Sequence, residues 1–166
     1  EKVPLETIIR EILSDLEVLI QEKNAIVTVG QMPTIEAVPS QIRQVFQNLL
    51  SNAFKFSRKD VQPMISIMAN RIAEKKFDSI ADPEGPYACI TITDNGIGFD
   101  EKYLDKIFVL FQRLHTKDKY EGTGIGLAVT RKIIEKHHGI ITAHSREKEG
   151  ATFTIILPVK QEQEIG

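Results

Sequence analysis

The sequence predicts an α+β protein, a two-layer sandwich in which about three helices cover a mixed, mostly antiparallel sheet. Apolar residues recur with the helical spacing of three and four in three separate stretches. In other stretches apolar and polar residues alternate, as they do in strands that bury one face. Helices and strands do not alternate in regular βαβ units, which favours the two-layer sandwich over a doubly wound sheet.

Composition and charge narrow the range of functions. The chain has 166 residues, 42% of them apolar, so we expect one domain over residues 1–160 and a tail at 161–166. A formal net charge of -2 offers no basic field, so we expect neither nucleic acid nor direct membrane contact. No apolar run could span a bilayer, no leader opens the chain, and the single Cys89 is compatible with a reducing compartment. We therefore expect a cytoplasmic protein, and the start at Glu1 suggests an excised piece.

The first predicted helix covers residues 5–22. Its apolar face carries Leu5, Ile8, Ile9, Ile12, Leu13, Leu16, Leu19 and Ile20. Asn24 is the expected stop, and short strands at 26–29 and 35–38 flank a turn at 30–33.

A second helix carries polar residues that a helix does not need. Pro39 opens it, and Ser40 is the candidate cap. Its apolar stripe consists of Ile42, Val45, Phe46, Leu49, Leu50, Ala53 and Phe54. Asn48, Asn52 and Lys55 fall within about 60° of arc beside that stripe. Asparagine is about 0.5–0.7 kcal/mol less favourable than alanine in a helix interior, so two carboxamides one turn apart suggest a use such as binding a divalent metal. Taken alone, the row is better explained as a solvated helix edge.

Alternating patterns predict four further strands, at residues 64–72, 88–94, 140–144 and 151–157. The charged and then Asp-, Pro- and Gly-rich residues 73–87 are expected to form a hairpin extension or a loop. Residues 100–111 are expected to form a short helical or irregular segment that ends in Phe108 and Phe111. A long exposed loop is expected at residues 112–122, which contain almost no apolar side chains.

The strand at 88–94 runs into Asp94, Asn95 and two glycines, Gly96 and Gly98. Asp94 has the same parity as Ile90 and Ile92, so its carboxylate should lean toward the core and needs hydrogen-bond donors there. An adenine amino group is one such donor, and glycines would let the backbone approach a flat base. An ordinary Asn-Gly turn between strands explains the motif equally well at this point.

The last predicted helix, residues 124–138, begins in a run of glycines. Gly122, Gly124 and Gly126 would free backbone N–H groups to cradle phosphate at the positive end of the helix dipole, and Thr123 could add a hydroxyl donor. The run is neither a Walker loop nor a dinucleotide fingerprint. We expect Gly139 to end this helix in the left-handed conformation, and His137 and His138 to act as partners of its C-terminal dipole.

Four elements therefore follow one another in a specific order: the asparagine helix, the Asp94 motif, the aromatic pair and the glycine run. This set resembles the ATP-binding catalytic domain of sensor histidine kinases, the Bergerat or GHKL fold shared with gyrase-type, Hsp90 and MutL ATPases, over essentially the whole chain. The matching residues are Asn48, Asn52 and Lys55 for the N box, Asp94, Gly96 and Gly98 for G1, Phe108 and Phe111 for the F box, and Gly122, Gly124 and Gly126 for G2. Gly150 stands where the family often has a further glycine turn.

The resemblance implies ATP and Mg²⁺ as cofactors and assigns roles to these residues. Asn52 would coordinate Mg²⁺ that bridges the phosphates, with the help of Asn48, and Lys55 would meet phosphate. Asp94 would accept the adenine amine. Residues 112–123 would form a mobile lid whose positive charge comes from Arg113, His115, Lys117 and Lys119, the last two being better explained as solvated loop charges. The resemblance also adds Thr123, Ile125 and Leu127 to the nucleotide-binding set.

Asn48 bears on whether the chain resembles the members of the fold that hydrolyse ATP or those that transfer its phosphoryl group. Members of the fold that hydrolyse ATP place a glutamate there to activate water, and a carboxamide cannot accept that proton. The resemblance therefore implies phosphoryl transfer to an external nucleophile. None of the four histidines, His115, His137, His138 and His144, stands in the sequence context of an acceptor histidine.

The resemblance thus implies two partners, a dimerisation and histidine phosphotransfer domain absent from this chain and a downstream response regulator. The fragment alone should phosphorylate nothing efficiently. A serine kinase of the same fold, a degenerate nucleotide-binding scaffold and a gyrase-type hydrolase remain as alternatives.

Overall fold

The computed structural model describes residues 1–98, 123–146 and 149–161. The expected aromatic segment at 100–111, with Phe108 and Phe111, lies outside the described residues, as do Arg113, Gly122 and the rest of the expected loop at 112–122. In chain order the described elements are β1 (Lys2–Pro4), α1 (Leu5–Asp15), α2 (Glu17–Lys23), β2 (Ile26–Val29), β3 (Thr34–Glu36), α3 (Pro39–Lys55), β4 (Met64–Ile72), β5 (Tyr87–Asp94), α4 (Thr123–Lys136), β6 (Ile140–Arg146) and β7 (Gly150–Pro158).

The main sheet has five strands in the order β2, β4, β5, β7 and β6. Strand β2 pairs with β4 in parallel, and the other three pairings are antiparallel. Strands β1 and β3 form a separate two-stranded antiparallel sheet. The prediction of an α+β fold with a mixed, mostly antiparallel sheet is confirmed.

The core lies between the sheet and the helices. All seven residues of the predicted apolar stripe of α3 are buried. They belong to one cluster with the inward residues of the strands, including Ile67, Ile90 and Ile155. In β5 the buried residues Ala88, Ile90 and Ile92 alternate with more exposed ones, as the period of a strand with one covered face requires. Within the described ranges no helix combines the length and the apolar character needed to cross a bilayer.

The predicted helix at 5–22 is wrong in one respect, because it is two helices. Leu16 has φ -95° and ψ 8°, outside the helical region, and separates α1 from α2. Four helix residues of α1 are buried, but none of α2 is, so the break turns the chain away once the core face is complete. The described residues therefore contain four helices rather than about three. Asn24 ends the helical segment, as predicted, and it does so in the left-handed conformation at φ 53°.

The two strands predicted around residues 30–33 exist, but they do not pair with each other. Strand β2 joins β4 in the main sheet, whereas β3, which covers Thr34–Glu36 rather than 35–38, pairs with β1. The intervening turn thus passes the chain from one sheet to the other. The hairpin expected at 73–87 is present, since residues 73–86 connect the antiparallel strands β4 and β5.

Two predicted helix ends are corrected by contacts between distant segments. Ser40 does not cap α3, because Pro39 is already in the first turn and the cap position is Val38. The Val38 N–H instead donates to Nε2 of buried His137 at 3.1 Å. Since that nitrogen accepts, Nδ1 carries the proton and donates to the Ile133 carbonyl at 2.8 Å. His137 is therefore a hydrogen-bonded bridge between α3 and α4 rather than a partner of the helix dipole.

The left-handed residue after α4 is His138, with φ 63°, and not Gly139. Glycine is needed at position 139 for a different reason. A Cβ there would overlap the carbonyl oxygen of Ile156 and lie 2.8 Å from a methyl carbon of Leu157. Gly139 therefore lets the chain turn closely against β7 as it enters β6.

Candidate active site

Asp94 ends β5 with its side chain on the core side of the sheet, in the parity that the sequence indicates. Burial raises the pKa of its carboxyl from 3.8 to about 6, although hydrogen bonds from the N–H groups of Gly96 and Ala151 act in the opposite direction. The Gly96 N–H donates to Oδ1 at 2.8 Å. A desolvated carboxylate of this kind has a strong preference for an additional donor.

The segment after Asp94 is packed against the C-terminal end of α3. The Ile97 N–H donates to the Phe56 carbonyl at 2.9 Å. A Cβ on Gly96 would overlap that same oxygen, so glycine is required by the close approach. Arg58 Nε adds a bond to the Asn95 carbonyl at 3.0 Å. These contacts place Asp94 and the end of the asparagine helix side by side.

Asn95, the neighbour of Asp94, has a structural role that the sequence analysis did not single out. Its Oδ1 accepts from the Met64 N–H at 2.8 Å, and its Nδ2 donates to the Gln62 carbonyl at 3.0 Å. Gln62 lies on the segment that leads from α3 into β4, and Met64 is the first residue of β4. The only signal in the sequence is the preference of asparagine for turns in which its side chain replaces a backbone partner.

Gly150, at the start of β7, supports the Asp94 segment from the other side. Its φ is +115°, and a Cβ there would overlap the Asp94 carbonyl oxygen and lie 2.8 Å from Asn95 Cα. A side chain at this position would therefore displace the residues that present the Asp94 carboxylate.

The asparagine row of α3 occupies the surface beside the buried stripe. Asn48 Nδ2 donates to Thr130 Oγ1 of α4 at 3.2 Å. Asn52 Nδ2 is buried and has no hydrogen-bond partner in the described part of the chain. Lys55 is exposed, and its Nζ lies 5.7 Å from the centre of the Phe56 ring. An unpartnered buried amide costs about 1–3 kcal/mol, so Asn52 is a position at which a ligand would relieve a defect.

The glycine run begins α4, which starts at Thr123, one residue before the predicted boundary. Gly124 and Gly126 lie in the first turn, where backbone N–H groups have no acceptor within the helix. Leu127 is buried at 4% exposure and anchors this end of the helix in the core. The side chains of Thr123 and Ile125 lie outside the described residues.

The structure thus joins three of the four motifs. Gly96 and Ile97 contact Phe56 at the end of α3, and Asn48 contacts Thr130 of α4. Gly98 follows with φ 64°. Among residues 1–98, 123–146 and 149–161, no three His, Cys, Asp or Glu side chains form a group that could hold a metal ion.

Comparison with known proteins assigns the class. Residues 37–161 match the family described as "Histidine kinase-, DNA gyrase B-, and HSP90-like ATPase". The matched range contains all four motifs. The chain belongs to this family.

Similar proteins refine that assignment. The chain is 44% identical over 147 residues to cyanobacterial phytochrome A of Nostoc sp. strain PCC 7120, covering 89% of this chain and 18% of that protein. It is 35% identical over 132 residues to sensor histidine kinase WalK of Bacillus subtilis, covering 78% and 20%. The catalytic domain of histidine kinase ThkA, in a nucleotide-free form, has a similar structure, with TM-score 0.75, 26% identity and coverage of 96% and 97%. The chain thus spans about a fifth of these two curated relatives and is a catalytic domain of the sensor histidine kinase type.

Proposed function

We propose that this domain binds Mg-ATP and donates the γ-phosphoryl group to a histidine on a separate dimerisation and histidine phosphotransfer domain. A response regulator would then take the phosphoryl group. The observation that carries the proposal is the buried Nδ2 of Asn52, which has no hydrogen-bond partner among the described residues. Asn52 lies one turn from Asn48, on the helix whose end contacts the Asp94 segment. Residues 1–160 form the ATP-binding domain in this proposal, and the cytoplasm, where ATP is plentiful, is its location.

Asn52 fits a magnesium-nucleotide complex. Rotation of its amide by half a turn exchanges Nδ2 and Oδ1, so the buried position can present either a donor to phosphate or an oxygen to Mg²⁺. Protein sites for Mg²⁺ in nucleotide complexes use few protein ligands together with phosphate oxygens and water. When bound, Mg²⁺ would offset negative charge on the phosphates. Asn48 would assist by holding its own carboxamide in a fixed orientation.

The remaining residues bind and orient the nucleotide. Asp94 would accept a hydrogen bond from the adenine amino group and so select adenine over guanine, which carries a carbonyl at that place. Lys55 is exposed and free of an ion pair in the described residues, so its ammonium can reach phosphate by rotation about its own side chain. Backbone N–H groups of Gly124 and Gly126, at the positive end of α4, would complete the phosphate contacts.

The chemistry of Asn48 supports transfer to a partner over hydrolysis. A carboxamide has no basic site at neutral pH, so Asn48 cannot take a proton from an attacking water. Catalysis would then consist of holding ATP in line with an incoming histidine and stabilising the charge on the phosphoryl group. A serine hydroxyl would need a base to remove its proton, whereas a neutral imidazole nitrogen needs none.

The test combines binding with transfer. Calorimetric titration with ATP and GTP, each with magnesium and with EDTA, should show magnesium-dependent binding that prefers ATP. Radiolabelled ATP should then label an added dimerisation domain that carries an acceptor histidine, and the label should be lost in acid but kept in alkali, as a phosphohistidine is. An acid-stable label would indicate a serine kinase, steady release of phosphate by the domain alone would indicate a hydrolase, and absence of ATP binding would indicate a scaffold.

A further inference from the structure

We infer that Thr130 is a positioning residue of the nucleotide site, which holds the Asn48 carboxamide in the orientation that magnesium-dependent binding requires. The inference rests on the proposed function and adds to it a residue outside the four motifs. Thr130 lies in the middle of α4, has no exposed surface, and its Oγ1 accepts from Asn48 Nδ2 at 3.2 Å across 82 residues of chain.

The partner of Thr130 distinguishes it from other buried polar residues. In the described ranges, three polar or charged residues are buried: Thr130, His137 and Ser145. His137 bonds to the backbone of Val38 and Ile133, and Ser145 donates to the Gly150 carbonyl at 2.7 Å. Thr130 instead bonds to a side chain that belongs to the site. Its hydroxyl therefore acts on a group whose orientation has a chemical consequence.

The orientation of Asn48 matters because the nitrogen and the oxygen of its carboxamide have different chemistry. A carboxamide presents a donor on one side and an acceptor on the other, and the two are exchanged by a half-turn. With Nδ2 directed to Thr130, Oδ1 is held on the side of the amide away from Thr130. Valine has the shape of threonine but cannot accept, so replacing Thr130 with valine would remove this constraint on the orientation of the Asn48 amide.

The same bond also joins the two halves of the site. Thr130 lies four residues after Gly126, one helical turn along α4 and on the same face. Asn48 precedes Asn52 by one turn of α3 in the same way. The bond between Asn48 and Thr130 therefore sets the glycine end of α4 in register with the asparagine row of α3.

The experiment compares Thr130→Val, which removes the acceptor, with Thr130→Ser, which keeps it. ATP affinity is measured by calorimetry in saturating magnesium and in EDTA, together with the thermal midpoint of each variant. In magnesium we expect Thr130→Val to bind ATP about tenfold more weakly than wild type. In EDTA its ATP affinity should change little. Thr130→Ser should bind ATP with nearly wild-type affinity in both conditions. In an Asn48→Ala background, Thr130→Val should have no further effect on the magnesium-dependent affinity.

Three results would overturn the inference. Wild-type affinity of Thr130→Val in magnesium would show that the hydroxyl is not used, and an equal loss in EDTA, or an equal loss in Thr130→Ser, would show a packing role. If Thr130→Val does not fold, Thr130→Cys replaces it, because sulfur is a weak acceptor of similar size. Failure of the wild-type domain to bind ATP would instead remove the proposed function itself, so the two failures are distinguishable.

Discussion

Gly150 lies so close to Asp94 that a Cβ on Gly150 would overlap the Asp94 carbonyl oxygen. Gly150 also has φ +115°, a conformation that residues with a side chain rarely adopt. The end of β5, which presents the proposed adenine acceptor, is thus shaped by a glycine that lies 56 residues further along the chain and has no side chain to contribute to binding.

Gly150→Ala should therefore lower both stability and ATP affinity. Strain and overlap together should reduce the free energy of unfolding by more than about 1 kcal/mol, and the displaced Asp94 should weaken nucleotide binding. Urea unfolding and calorimetry measure the two effects. Gly30→Ala is the matched control, because there the added Cβ would meet the end of the flexible Met68 side chain at 2.7 Å. Equal losses in the two variants would argue against a special role of Gly150.

Asp94→Asn should stabilise the nucleotide-free domain at neutral pH. Burial raises the pKa of Asp94 from 3.8 to about 6, so between these values the folded protein binds more protons than the unfolded chain and stability falls as pH rises. The full shift corresponds to about 3 kcal/mol. The variant should gain up to about that amount at pH 7 and almost nothing at pH 3.5, while it loses its preference for ATP over GTP.

Unfolding curves across this pH range check the prediction, with the exposed Asp60→Asn as the control. A gain from Asp94→Asn that is the same at both ends of the range would contradict the raised pKa. Retained selectivity for adenine would remove Asp94 from base recognition.

Asn52→Ala should separate binding from stability. Because Nδ2 of Asn52 is buried without a partner in the described residues, its removal relieves an unfavourable burial of about 1–3 kcal/mol. Stability without nucleotide should therefore be unchanged or higher, whereas ATP affinity in magnesium should fall at least about tenfold. Asn70→Ala, at an exposed position of β4, controls for the loss of an asparagine. Unchanged ATP affinity in magnesium would count against a metal or phosphate role.

His137→Phe should destabilise the domain without direct effect on nucleotide contacts. Phenylalanine cannot accept from the Val38 N–H, which would lose its partner, and it cannot donate from its ring to the Ile133 carbonyl, which would keep only the bond from the backbone N–H of residue 137. We expect a loss of about 1–3 kcal/mol in the free energy of unfolding. The neighbouring His138→Gly should be neutral or stabilising, since His138 is exposed and has φ 63°. If both changes had similar effects, the bridge between α3 and α4 would not be the cause.

Secondary structure could be predicted where apolar residues recur periodically on one face of a helix or strand. Every residue of the predicted apolar stripe of α3 is buried, and β4 covers the predicted range. In a helix or strand with one covered face, apolar residues recur with the period of that element, so the sequence shows the pattern directly. The strand pairings and helix ends that were predicted wrongly depend on distant partners. Val38 is held by His137, which lies 99 residues away, and no local pattern indicates that contact.

The candidate site likewise contains residues that the sequence indicated and contacts that only the fold shows. Asparagines in a helix interior and glycines at a helix start depart from what local structure favours. Together with the order of the motifs, they made Asn48, Asn52, Asp94 and the glycine run candidates for a use beyond the fold. Thr130 and Asn95 agree with local expectations, since a threonine in a helix and an asparagine in a turn are both common. Only the tertiary structure set Thr130 against Asn48 and Asn95 between two segments, because the meaning of a single hydrogen-bonding group depends on which distant group the fold places within its reach.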